Sequence, residues 1–214
     1  MNNTADLIMI FLVLTNLMLL GLSRMGACIR IVALQGVVLS FLPLILNQWN
    51  FEMHLVLFSI VIISLKGGVF PWMLNRTLRE LSIQREIEPF IGYGISIIAG
   101  TIAFLTCMWL SHRLPFPQPL MSPLIVPVAF FTIMSGLFLI ISRKKALTQV
   151  LGYLVLENGI YAFGVALVKQ QPMLVEIGVL LDIFVAVFVM GIAIFHINRE
   201  FDHIDTDQLS RLRS

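Results

Sequence analysis

Four ionisable residues, Lys66, Glu157, Glu176 and Asp182, lie inside long apolar runs that otherwise carry almost no charge. Where such runs cross a bilayer, each ionised side chain costs about 2.5–3.5 kcal/mol on insertion scales. Charges kept at that cost usually pair with one another or line an ion or proton route. Both signs occur here, so the simplest chemistry is a buried polar chain that stores or passes protons. A carboxylate and an ammonium held together away from water are suited to trading a proton. The structural alternative is a polar clamp, in which the same groups hydrogen-bond across packed helices.

The neighbours of these residues sharpen the reading. Lys66 opens the segment Lys66-Gly67-Gly68-Val69-Phe70-Pro71. Pro71 lacks the N–H that would bond the Gly67 carbonyl, so a helix is expected to kink there and expose that carbonyl. Irregular backbone is tolerated in a membrane where it lines a cavity, so a freed carbonyl beside Lys66 would make a station for water or a proton. Glu157 is followed by Asn158 and Gly159 and preceded by Gly152 and Tyr153. Small residues admit a neighbouring helix, and Asn158 can bridge to it.

The elements that must carry these residues are membrane helices. The chain has 214 residues, of which 58% are hydrophobic and 12% charged, with a mean hydropathy of +0.95. Soluble domains carry about 25% charged residues. A 30 Å hydrocarbon core needs roughly 20 residues of helix. Apolar runs of that kind fall at 5–22, 27–46, 53–74, 89–110, 122–141, 146–168 and 173–197. The expected fold is an all-α polytopic bundle of about seven transmembrane helices, because helices satisfy their own backbone groups in lipid. The first run lacks the basic flank of a cleaved signal and is expected to be retained.

The basic residues set an expected orientation. Arg24, Arg30, Arg76, Arg79, Arg85, Arg143, Lys144, Lys145, Arg199, Arg211 and Arg213 fall on one side of a seven-span chain. Only Arg113 and Lys169 fall on the other. The positive-inside rule then places the N-terminus outside and the C-terminus in the cytoplasm. The longest loop, 75–88, has Leu78, Leu81 and Ile83 among charges and is expected to form a short amphipathic turn on the cytoplasmic surface. Loops are short, so 1–214 reads as a single membrane domain: a five-helix part at 1–142, the last helices at 143–197, and a cytoplasmic tail at 198–214.

Depth follows from the rise per residue. Glu157 lies about 16 Å into the sixth span, Asp182 about 14 Å into the seventh and Lys66 about 20 Å into the third. Glu176 is about one turn inside the outer surface. Nothing points to catalysis, a cofactor or a metal within this chain. Cys28 and Cys107 have no CxxC or histidine companion, there is no phosphate loop or dinucleotide fingerprint, and a net charge of +2 gives no footing for nucleic acid.

The segment ALTQVLGYLVLENGIYAFGVAL, followed by LVEIGVLLDIFVAVFVMGIAI, closely resembles hydrogenase-4 component E. The motif Leu156-Glu157-Asn158-Gly159, with Leu174-Val175-Glu176-Ile177-Gly178 and Asp182, carries the resemblance. It extends into the tail (HIDTDQLSRLR) and back to the lysine of the third span. More distantly, the last three spans resemble the K-type subunit of complex I and the C-type subunit of multisubunit cation/proton antiporters. In the K-type subunit two helices each carry a membrane carboxylate on the proton route, and Glu157 and Asp182 are the nearest equivalents. The pattern departs in two ways: the K-type glutamate sits about one turn earlier relative to its asparagine, and the second acid here is Asp.

The resemblance implies a non-catalytic subunit of a group 4 [NiFe]-hydrogenase or formate hydrogenlyase-type complex in a prokaryotic cell (inner) membrane. Iron–sulfur clusters and the NiFe centre would belong to soluble hydrogenase-type partners. Antiporter-like and quinone-subunit-like membrane subunits would sit alongside. Electron transfer outside the bilayer would then be coupled to proton or sodium movement within it. Competing readings are a structural membrane anchor, a C-type part of a cation/proton antiporter, and a stand-alone carrier.

Overall fold

A computed structural model describes residues 3–46, 53–80, 90–114, 122–143, 145–167 and 191. Within them the chain forms α1 (Asn3–Gly21), α2 (Met25–Ser40), α3 (Leu42–Leu46), α4 (Met53–Ile62), a π-helical segment (Ile63–Val69), α5 (Phe70–Glu80), α6 (Tyr93–Ser111), α7 (Ile125–Ser142) and α8 (Ala146–Leu167). The fold is all-helical among the described residues, as the apolar runs require. Among the described residues, four helical stretches are long and apolar enough to cross a membrane: Thr4–Gly21, Met25–Ile45, Tyr93–Ser111 and Ile125–Ser142. α8 has 22 residues and carries Glu157 and Asn158 near its middle. Apart from Gly191, the expected seventh span, with Glu176 and Asp182, lies outside the described residues, as does the tail.

Local chemistry explains where these helices bend or stop. Pro43 has no N–H for the Leu39 carbonyl, and α2 gives way at Phe41 before α3 resumes. At Lys66-Gly67-Gly68 the chain does not break. It widens into a π turn that runs straight into α5, with the Phe70 N–H bonded to the Leu65 carbonyl. Pro71 offers no donor, so the ladder there is already weak. The expected kink is thus a shift of ladder. α5 also continues to Glu80, beyond the apolar run, because Arg76, Leu78 and Arg79 are good helix formers.

α7 and α8 pack against each other more extensively than any other pair. Glycines set their spacing. A Cβ on Gly136 would come within 2.6 Å of the Gly152 carbonyl oxygen, and one on Gly159 within 2.6 Å of the Ile133 nitrogen. These are backbone atoms, which cannot rotate away. Gly136→Ala is therefore expected to lower the thermal unfolding midpoint of the solubilised protein, at an overpacking cost on the order of 1–3 kcal/mol. An unchanged midpoint would show that the two helices separate freely.

Two apolar clusters occupy the ends of the bundle. One gathers Leu19, Leu20, Met25, Ile29, Leu74, Leu147 and Leu151 at the end bearing Arg24, Arg143 and Lys145. The other gathers Ala5, Met9, Leu42, Ile45, Ile125 and Val165 at the opposite end. Exposed Trp72 and Trp109 lie toward these two ends, under the guanidinium groups of Arg76 and Arg113 respectively. Tryptophan at two such levels fits paired interfacial belts. The polar centre lies between the clusters.

Candidate functional site

Lys66 projects from the π segment and reaches α8. Its Nζ lies 2.8 Å from Glu157 Oε1 and donates to Asn158 Oδ1 at 3.0 Å. The three residues are 8%, 1% and 2% exposed. One turn further along α8, the Tyr161 ring centroid is 5.4 Å from Nζ, within cation–π range. The structure thus brings together two of the four buried charges singled out in the sequence, 91 positions apart.

Close backbone packing makes the reach possible. A Cβ on Gly36 would come within 2.7 Å of Lys66 Cβ, and one on Gly67 within 2.6 Å of Val37 Cγ2. α2 and the π segment therefore touch through glycines on both sides, and the lysine passes over α2 at Gly36. Gly67, Gly68 and Pro71 all belong to this turn or its immediate continuation. Pro71 withholds a donor from the Lys66 carbonyl in a π ladder, and from the Gly67 carbonyl in an α ladder. π segments inside α-helices occur frequently at functional sites.

The energetics argue against stability as the reason for the pair. Replacing a buried ion pair by apolar side chains is often neutral or stabilising, whereas removing one partner costs about 3–5 kcal/mol. The pair is also incompletely satisfied. Glu157 Oε2 and the Tyr161 hydroxyl have no hydrogen-bond partner among the described residues. Buried polar groups in that position are normally met by ordered water or a further side chain. A carboxylate, an ammonium, an amide and a phenol in low dielectric can hold and hand on a proton.

A second polar centre lies at the same depth, on the other side of α2. Gln35 Nε2 donates to Thr15 Oγ1 at 2.8 Å and to Asn16 Oδ1 at 2.9 Å. Asn16 Nδ2 donates to Thr132 Oγ1 at 2.8 Å. All four residues are buried. This network ties α1, α2 and α7 together, while the adjacent Gly36 faces Lys66. In the sequence Gln35 registers only as an interruption of the second span. The co-occurrence of Asn16 and Gln35 in neighbouring apolar runs was the available signal.

Arg143 also departs from its expected surroundings. Counted among the loop cations, it is in fact fully buried. Its Nη2 donates to the Leu20 carbonyl at 2.9 Å, and its guanidinium lies 5.1 Å from the Tyr93 ring centroid. It thereby caps the C-terminal end of α1, where carbonyls lack helical donors and a cation is favoured. Glu176 and Asp182 lie outside the described residues. Among the described residues no three His, Cys, Asp or Glu side chains come together as a metal site would require.

Comparison with known proteins adds a lineage to this geometry. Residues 124–214 match the family model described as NADH-ubiquinone/plastoquinone oxidoreductase chain 4L. That stretch holds α7, α8, Glu157, Glu176 and Asp182. The uncharacterized protein Rv0085 of Mycobacterium tuberculosis is 30% identical over 203 residues, covering 94% of this chain and 92% of that protein. Hydrogenase-4 component E of Escherichia coli K12 is 26% identical over 214 residues, covering 99% of this chain and 96% of that protein. No solved structure matches significantly.

Proposed function

Because this chain is similar over nearly its whole length to hydrogenase-4 component E and has a chain 4L-type C-terminal part, we propose that it is the proton-handling membrane subunit of a complex I-like, group 4 hydrogenase-type assembly. In such an assembly, electron transfer in soluble partner subunits drives proton or sodium movement within the bilayer. One observation carries the reading: the buried contact of Lys66 with Glu157 and Asn158 across the π segment and α8. Its cost is hard to justify for a mere anchor, and its chemistry suits proton exchange.

In this reading the chain passes seven times through the membrane, with its N-terminus outside and its tail in the cytoplasm. Glu176 and Asp182 on the last span extend the route that begins at Lys66 and Glu157. Iron–sulfur clusters and the NiFe centre belong to the soluble partners, and antiporter-like and quinone-subunit-like subunits lie alongside in the membrane. The subunit contributes no redox step of its own. It responds to charge or conformational changes at its neighbours by moving a proton between buried groups.

Purification from native membranes by a tag on this chain tests the assignment. The expected result is co-purification with antiporter-like membrane subunits and cluster-bearing soluble subunits, and proton movement on turnover when the complex is reconstituted in liposomes. A chain that arrives alone, or an assembly that turns over without moving protons, would overturn it.

A further inference from the structure

A narrow cleft leads from Lys66 toward the basic end of the bundle, between α2, α5 and α8. At its deep end are Lys66, Asn158 and Pro71. Toward the basic end it is walled by Ile29, Leu74 and Leu151, with Ala33 between the two levels. From Lys66 to Leu74 is eight residues of nearly continuous helix, or about 12 Å. Space for water centres amounts to about 10 Å³, close to the minimum that holds one water molecule by that measure. The cleft is therefore too narrow for a hydrated channel and wide enough for a single water.

The polar groups at its deep end match such a water. An ammonium has three donors; Lys66 gives one to Asn158 Oδ1 and faces Glu157 as an ion pair. Pro71 leaves a backbone carbonyl at Lys66 or Gly67 without its ladder donor. A water beside Lys66 can thus accept from Nζ and donate to that carbonyl. From Lys66 and Asn158 the lining residues run to Ile29, Leu74 and Leu151, which belong to the apolar cluster at the basic end.

We propose that Lys66 exchanges its proton with the aqueous phase at the basic end of the bundle through this cleft, with Ile29, Leu74 and Leu151 as an apolar cuff admitting one water at a time. The step balances simply. On uptake, a hydronium in the cleft gives its proton to the neutral Lys66 amine, whose lone pair forms the new N–H bond, and water remains. On release, the N–H bond breaks, its electron pair stays on Nζ, and the proton leaves on the cleft water. The proposal rests on the reading of Lys66 and Glu157 as a proton-handling pair.

Thiol accessibility in the assembled complex tests it. Cysteine is placed singly at Ala33, Leu151 and the exposed position Ile102, in a background with Cys28→Ala and Cys107→Ala. A small, membrane-impermeant cationic methanethiosulfonate is then applied to membrane vesicles of either orientation. Leu151→Cys, in the cuff itself, is expected to react at least about tenfold faster than Ile102→Cys, because thiols react as thiolates and thiolates need water, while Ala33→Cys, behind a cuff that admits one water at a time, is expected to stay unlabelled. Reaction should occur only from the side bearing Arg143 and Lys145, and should stop coupled proton movement. In the Ala33→Cys chain, adding Leu151→Ala should widen the cuff and let labelling begin.

Labelling at position 151 no faster than at position 102, labelling only from the opposite side, or no labelling at position 33 once Leu151→Ala widens the cuff, would overturn the cleft as a passage. Labelling that leaves proton movement untouched would overturn it equally, since the cleft would then be wet and idle. Failure of the underlying pair is read separately, in Glu157→Gln, which alters none of the cleft's walls.

Discussion

In the assembled complex Glu157→Gln is expected to reduce coupled proton movement by on the order of 10²-fold, the low end of what losing a positioned proton donor or acceptor costs. Subunit composition should stay unchanged. Glutamine keeps the shape of the side chain and can still accept from Lys66, so the α8 contact with the π segment survives. What disappears is the site for a proton and the charge opposite the ammonium. Proton movement is read as acidification of reconstituted vesicles, and assembly as the set of co-purifying subunits. Retained proton movement in an intact complex would remove Glu157 from the route.

The same variant separates this reading from the anchor. An anchor uses Glu157 as a clamp, and a clamp is judged by whether partners stay bound. Loss of assembly, with normal proton movement in whatever complex remains, would favour the clamp. The structure already weakens that alternative. The close fit of α7 on α8 comes from Gly136, Gly152 and Gly159 meeting backbone atoms, and the central tie between α1, α2 and α7 comes from uncharged Asn16, Gln35 and Thr132. Neutral groups thus tie α1, α2, α7 and α8 together at the centre of the bundle, with Arg143 joining α7 to α1 at its end. Lys66 and Glu157 lie outside both devices.

The helices were legible in the sequence because a bilayer leaves the backbone few choices. A run such as 122–141 has to be helical in lipid, and it appears as Ile125–Ser142. The third span was legible only in part. Its helical character was right, although the helix runs on to Glu80, but a π turn arises from the balance between two hydrogen-bond ladders, and Gly67, Gly68 and Pro71 announced only that the ladder was weak. That Lys66 should be important followed from its cost, while its partner did not, because one chain gives no distance between positions 66 and 157. Gly36 decides that distance by letting the lysine pass, and a glycine in an apolar run carries no such mark. Arg143 misled for a related reason. Counting charges by side assigns it to a loop, yet the free carbonyl at Leu20 draws it inside.

Replacing Lys66 tests the pair from its other end, and in combination with Glu157 it tests the coupling itself. Lys66→Met keeps the length of the side chain and removes the charge, so the π segment retains its packing over Gly36. Proton movement is expected to fall on the order of 10²-fold, as for a lost proton-transfer group. Stability should fall as well, because Glu157, at 1% exposure, is left as an uncompensated acid, a loss of about 3–5 kcal/mol if it stays ionised. Adding Glu157→Gln to Lys66→Met should then cost little more in activity and restore part of the unfolding midpoint, since the stranded charge is gone. The interaction energy from the four proteins is expected to lie within about 0.5–3 kcal/mol, the range for contacting residues. Strictly additive effects on the midpoint would mean that the 2.8 Å contact carries no energy, and Lys66 would have to act through a group other than Glu157. A double variant that recovers stability but no proton movement is the outcome that separates the two roles, because a clamp is repaired by neutral partners and a proton site is not.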